Sequence, residues 1–342
     1  MEPVLPPQVL CLGEALVDRL GPPGGDPARD TPCDDRLGGA PANVACGLAR
    51  LGTPVAFLGR LGRDAIGEAF AALFAARGVD TSGLQWDQCR PSRIVLVRRD
   101  STGERSFEGF AGAAGFADQA LDAEALAAAL GPLLAAARWL LVGTIPLASS
   151  AAASALQLAC REAAAAGVPL ALDVNWRPTF WEPEADPASG PGPAAIAAMR
   201  PLLEQAALIK CAREEAQWLF GSADAAVVSA ALPQRPAVVV SDGGSRLSWC
   251  FGASSGVLPA FAVPLVDSTG AGDAFTAGLL HRFCAAPGLL VAAGGGAPAD
   301  VQAVVEALRF AAACGALVCQ GAGAIDPQPD RAQVEAFLAA RA

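Results

Sequence analysis

Short apolar runs alternate with longer Ala- and Leu-rich stretches along most of the chain. Val9–Leu12, Val55–Leu58, Trp139–Val142, Pro169–Asp173, Ala207–Lys210 and Val238–Ser241 are brief and nearly continuous in their apolar character, as buried strands are. Between them, Ala42–Leu51, Ala65–Ala76, Ser150–Ala166 and Glu214–Phe220 read as helices. Strand–helix alternation predicts an α/β fold with a mostly parallel sheet covered on both faces. One region breaks that rhythm. Ile94–Val97 and Ser106–Phe110 flank a polar Arg-Arg-Asp-Ser-Thr-Gly-Glu-Arg segment, which reads as a β-hairpin turning near Gly103 and makes a candidate lid. Glu182–Pro193 and Ala285–Ala299, rich in Gly, Pro and Ala, read as surface loops.

Trp139 to Cys160 has membrane-like length without charge, but Gly143, Pro146 and several hydroxyl residues interrupt it. It reads as strand, turn and helix rather than a span. The start, Met-Glu-Pro-Val-Leu-Pro-Pro, lacks the basic and apolar regions of a signal peptide. The ten cysteines form no CxxC pair, so a reduced cytoplasmic location is expected.

Composition then narrows the chemistry. The 342 residues are 53% hydrophobic and 17% charged, enough for a large core. The net charge of −10 argues against nucleic-acid partners and requires any anionic substrate to find a local positive field. There is one lysine (Lys210), one histidine (His281) and no tyrosine. Lys210 follows no glycine-rich loop, which excludes a Walker A site. Multi-histidine metal sites are excluded too, and a Ser-His-Asp triad could only use His281.

The sharpest motif is Asp267-Ser-Thr-Gly-Ala-Gly-Asp273, with a helix pattern following at once. Glycines there let backbone N–H groups converge into an anion hole at a helix N-terminus. Asp273 could cap that helix, or act beside the hole as general base for a hydroxyl. A second motif, Gly38-Gly-Ala-Pro-Ala-Asn43, opens a helix early in the chain. Its small residues admit a ligand against backbone, and equally fit a Pro-initiated helix packed tightly on its neighbours. Gly13-Glu-Ala-Leu-Val-Asp18 puts a carboxylate just past the first strand, where α/β folds bind ligands.

GGAPANVACGLARLG and DSTGAGDAF together resemble the ribokinase/PfkB family of sugar kinases. Gly59–Gly67, Gly78–Ser82, Gly103–Phe107, Asp173–Pro178 and Gly323-Ala-Ile extend the resemblance over the whole chain, and within the family it is most similar to fructokinases. The resemblance implies one ribokinase-like domain, a three-layer α/β/α sandwich. It also implies a discontinuous β lid from about residues 14–37 and 84–112, whose surface could serve a homodimer. The implied activity is ATP-dependent phosphorylation of a sugar, D-fructose first, with Mg2+ and a K+-type cation as cofactors.

By the same resemblance, Asp273 is the base, Gly270, Ala271 and Gly272 form the anion hole, and Arg177 lies near the phosphate. Asp18, Gly38, Gly39 and Asn43 would bind sugar hydroxyls, while Ser241 and Gly243 begin the nucleotide loop. Glu215 would act on Mg2+ through water, and Asp267, Thr269 and backbone near Gly323 would hold the monovalent cation. Lys210 is either a nucleotide contact or half of a structural ion pair. Two departures stand out: Ala212 replaces the Asn of an Asn-x-x-Glu motif, and Arg246 replaces the last Gly of the nucleotide loop. The alternatives are a kinase for 2-keto-3-deoxygluconate or another sugar, and a catalytically weak regulatory relative.

Overall fold

Side chains alternate across a strand, and here both faces are apolar. Val9 and Cys11 pack into one core while Leu10 and Leu12 pack into another, all four fully buried. The computed structural model describes residues 5–99, 105–112, 115–289 and 300–341. Its strands are β1 (Val9–Leu12), β2 (Leu16–Leu20), β3 (Asp34–Gly38), β4 (Val55–Gly62), β5 (Leu84–Asp87), β6 (Arg93–Arg99) and β7 (Arg105–Phe110). They continue as β8 (Trp139–Val142), β9 (Leu170–Asp173), β10 (Leu208–Ala212), β11 (Ala237–Asp242), β12 (Arg246–Phe251) and β13 (Ser254–Pro259).

Nine strands form one sheet in the order β13-β12-β11-β10-β9-β8-β1-β4-β5. The pairs from β11 to β5 are parallel, and β12 and β13 add an antiparallel edge. The helices are α1 (Ala40–Arg50), α2 (Ala65–Arg77), α3 (Ala123–Leu134), α4 (Ser150–Ala165), α5 (Pro178–Trp181) and α6 (Pro193–Gln205). After them come α7 (Arg213–Phe220), α8 (Ala225–Ala230), α9 (Ala271–Ala285), α10 (Val301–Val318) and α11 (Arg331–Ala339). α1, α2, α9 and α10 bury side chains against one face of the sheet; α3, α4, α6, α7 and α8 cover the other. The sandwich therefore has the three layers expected.

Helices α1, α9 and α10 come together through small residues. A Cβ on Gly47 would lie 2.9 Å from the Ala277 methyl, and one on Gly278 would lie 2.8 Å from Cys314 Sγ. α10 is long and apolar enough to cross a membrane, but Leu308, Phe310, Ala311 and Cys314 are buried against the protein, as in a core helix. The Trp139–Cys160 stretch is β8, a 3-10 turn at Ile145–Ala148, and part of α4.

A separate four-stranded sheet runs β3-β2-β6-β7. β2 pairs antiparallel with β3 and parallel with β6, and β6 pairs antiparallel with β7. The 84–112 boundary of the lid needs correction at its start, because β5 pairs with β4 at the edge of the large sheet. The later contribution to the small sheet begins at Arg93. The hairpin turn near Gly103 and residues 290–299 of the Ala285–Ala299 loop lie outside the described residues.

Candidate active site

The parallel strands end together on one edge: Gly13 and Glu14 after β1, Asp173 on β9, Lys210–Ala212 on β10 and Ser241 on β11. Open α/β sheets bind ligands at this carboxyl edge. Helix α9 points its N-terminus at it. Gly270, the N-cap, has φ of 76°, and a Cβ there would lie 2.5 Å from the Ala324 methyl. Glycine is required on both counts. First-turn amides lack intrahelical partners, so this end of α9 offers donors to an anion. Ala271 N–H is partly engaged, donating to Ser268 O at 3.2 Å, which places more of the expected hole on Gly270 and Gly272.

Asp273 sits in the first turn of α9. Its Oδ2 accepts a 2.7 Å hydrogen bond from Asn43 Nδ2 on α1. Burial is the main influence on the carboxyl, and with the charge of Asp173 it pushes the pKa up to about 6; Lys210, the Asn43 hydrogen bond and Arg177 oppose the rise. A carboxylate with that pKa is ionised at neutral pH and basic enough to take a proton.

Behind Asp273 lies a buried ion pair. Lys210 Nζ is 3.1 Å from both oxygens of Asp173, whose Oδ2 also accepts from Thr276 Oγ1 at 3.1 Å. A Cβ on Gly272 would fall 2.8 Å from Lys210 Nζ, so the ammonium lies against the backbone of the first turn of α9. Desolvation works against the ammonium, but Asp173, Glu215 and Asp273 outweigh it and raise its pKa above the ordinary value.

The small sheet supplies the opposite wall. A Cβ on Gly38 would lie 3.1 Å from Asp18 Oδ2 and 4.0 Å from Asn43 Oδ1, so both oxygens border the same space. Asn43 Oδ1 is buried and has no hydrogen-bond partner among the described residues. Gly39 has φ of 100°, and a Cβ there would come within 2.6 Å of Glu14 O. The motif GGAPAN is thus both a tight corner and part of the wall.

The remaining expected residues fall around these. Arg177 is exposed at the cap of α5, donates to Trp176 O at 2.8 Å, and is near enough to lower the pKa of Asp273. Ser241, next to last in β11, stands opposite Ala212 in register, and Gly243 follows in the turn to β12 with φ of 51°. Glu215 is buried, and its two oxygens accept from Trp176 N at 2.6 Å and Ala212 N at 2.7 Å. It ties the segment after β9 to the end of β10, and burial raises its pKa. Asp267 Oδ1 accepts from Thr269 N and Oγ1 at 3.0 and 2.7 Å, and Oδ2 accepts from Gly323 N at 2.9 Å. The three proposed cation-site residues are therefore brought together.

Motif reading assigned no role to Glu14 or Asp173, although both lie in quoted segments. Strand-end carboxylates were the available signal; their partners, Ala40 and Lys210, are 26 and 37 residues away. His281 is structural: its Nδ1 pairs with Thr53 Oγ1 at 2.7 Å.

Comparison with known proteins converges on one family. The model described as pfkB family carbohydrate kinase matches residues 6–331. A probable chloroplastic fructokinase-6 of Arabidopsis thaliana is 33% identical over 340 residues, 98% of this chain and 83% of its own length. The Xylella fastidiosa fructokinase structure with bound ATP is 29% identical, covers 97% of this chain and 98% of its own, and has a TM-score of 0.80. The Vibrio cholerae O395 fructokinase structure, holding fructose, ADP and calcium, is 28% identical, covers 97% and 99%, and has a TM-score of 0.77.

Proposed function

The chain belongs to the pfkB family of carbohydrate kinases, and from that premise we propose that it transfers the γ-phosphoryl group of ATP to D-fructose, giving fructose 6-phosphate and ADP. One observation carries the reading: Asp273, the candidate base, stands on the first turn of the anion-hole helix and is held from the sugar side by Asn43.

Phosphoryl transfer needs positioning and charge stabilisation more than covalent help from the protein. Asn43 occupies Asp273 Oδ2, which leaves Oδ1 to accept the proton of the sugar 6-hydroxyl. The sugar O6, giving up that proton, bonds to the γ-phosphorus as the bond from phosphorus to the ADP oxygen breaks. Gly270 and Gly272 amides, the α9 terminus and Lys210 face the charge that develops on the transferred group. Asp18, Gly38 and Asn43 hold the sugar, Ser241 and Gly243 border the nucleotide, and Arg177 adds a cation at the phosphates.

Magnesium bound to the triphosphate would neutralise phosphate charge. No group of three or more His, Cys, Asp or Glu able to hold a metal occurs among the described residues. With both Glu215 oxygens bonded to backbone, the donor set fits a metal carried on phosphate and reached through water. Asp267, Thr269 and Gly323 would hold a monovalent cation beside the anion hole.

A neutral sugar is favoured over a sugar acid. Arg98 is engaged by Gly25 O and Glu108, Arg99 donates to Gly21 O, and Arg93 is paired with Asp118. A coupled ADP-release assay over fructose, glucose, ribose and 2-keto-3-deoxygluconate tests the reading. Highest kcat/KM with fructose supports it; preference for the acid, or no turnover with any sugar, overturns it.

A further inference from the structure

A small cavity lies beside Gly13 and Glu14, just past β1, lined also by Arg93, Asp118, Gln119, Ser149 and Phe180. Its volume of about 10 Å³ accommodates a single oxygen-sized group. Nearly all of its polar lining is already engaged. Arg93 makes a two-pronged pair with Asp118 at 2.9 and 3.1 Å, Gln119 Oε1 accepts from Phe116 N, and Ser149 Oγ donates to Gln119 O. Three phenylalanines, Phe110, Phe116 and Phe180, stack on the Arg93 guanidinium within 4.8 Å and hold it to Asp118.

Glu14 is the exception. It is 3% exposed; Oε1 accepts from Ala40 N at 3.1 Å, while buried Oε2 has no partner among the described residues. A buried oxygen left without a hydrogen bond is costly, and an ionised carboxylate here would find Arg93 already committed. A protonated carboxyl avoids the charge and turns Oε2 into a donor. Sugar hydroxyls are matching acceptors, and the other oxygen of the same carboxyl holds Ala40 N, two residues beyond Gly38, which faces Asp18 and Asn43.

We propose that Glu14 is a specificity-determining residue of the sugar site, acting as an uncharged acid whose Oε2–H donates to one hydroxyl oxygen of the bound sugar. The proposal rests on the sugar-kinase reading above. Its charged neighbours are Arg93 on β6, Asp118 after β7 and Asp273 on α9. Burial first, then the charges of Asp118 and Asp273, against hydrogen bonds from backbone, push the carboxyl up to about 8, so it stays protonated at neutral pH.

The test is steady-state kinetics with fructose at saturating ATP from pH 6.5 to 9.5, on wild type, Glu14→Gln and Glu14→Ala, with melting curves alongside. Wild-type KM for fructose should hold steady to about pH 8, then rise about tenfold per pH unit as the donor is lost. Glu14→Gln keeps a neutral acceptor and donor, so its KM should stay within about threefold of wild type at pH 7 and remain flat to pH 9.5. Glu14→Ala should raise KM by about tenfold with kcat little changed. A flat wild-type KM, or the same rise in Glu14→Gln, overturns the proposal even if Glu14→Ala fails to fold. A chain that phosphorylates none of the sugars overturns the kinase reading itself, and this proposal with it.

Discussion

Lys210 Nζ lies 3.1 Å from each carboxylate oxygen of Asp173, and the same nitrogen faces Gly272, one residue before Asp273, the proposed base. The only lysine in the chain is thus spent where backbone donors already converge for an anion. Removing it should act twice. Lys210→Met leaves Asp173 buried and unpaired, a loss of about 3–5 kcal/mol by urea denaturation. The double variant Lys210→Met/Asp173→Asn should recover most of that stability while kcat stays at least about tenfold down. Recovery of kcat along with stability would reduce the lysine to a structural role.

Asp273→Asn should lower kcat by about 10²–10⁴ with little change in the KM for either substrate. Wild-type kcat should fall below about pH 6, where the carboxyl takes up its proton. Stability runs the other way. A carboxyl whose folded pKa is raised favours the folded state most when protonated, and that contribution is lost as pH rises through about 6. Asp273→Asn should therefore melt a few degrees above wild type at pH 7.5, with the gap closing toward pH 4.

Asn43→Ala removes the hydrogen bond that holds the Asp273 pKa down. The acidic limb of kcat against pH should move above its wild-type position, and kcat at its plateau should drop. An unmoved limb would show that Asn43 does not act on the base.

Asp18→Ala should raise the KM for fructose by about tenfold or more and leave the KM for ATP unchanged. A parallel rise in both would place Asp18 outside the sugar wall.

His281 offers a stability test away from the site. Burial lowers its pKa to about 4, with Arg282 and Arg331 adding to the effect. Between its ordinary value of 6.5 and 4, the unfolded state binds the extra proton, so stability falls as pH drops through that window. Denaturation of wild type and His281→Gln at pH 7 and pH 5 should show a smaller loss in the variant.

The large sheet was legible because β1, β8 and β9 are buried on both faces and leave uninterrupted apolar text. β2 and β3 were not. Leu16–Leu20 carries Asp18 and Arg19, Asp34–Gly38 carries three charges, and both strands rely on partners such as the Arg19–Asp35 pair. Backbone conformation and helix dipole are local, so the Gly270–Asp273 turn could be read from seven adjacent residues. The Asn43–Asp273 hydrogen bond spans 230 positions, and Asp173–Lys210 joins two strand ends. Neither contact leaves a local spacing to find, and without them Asn43 looks like a sugar ligand alone.

The two walls of the site belong to different layers of the molecule. Asp18 and Gly38 ride on β2 and β3 of the small sheet, while Asp273, Lys210 and the Gly270–Gly272 turn are anchored in the sandwich. On the proposed reading, two of the sugar contacts and the phosphoryl chemistry therefore sit on separate sheets. Rewriting β2 and β3 would alter the sugar contacts they carry and leave the α9 turn in place, but Asn43 on α1 bonds to Asp273 and so couples any change of acceptor back to the base.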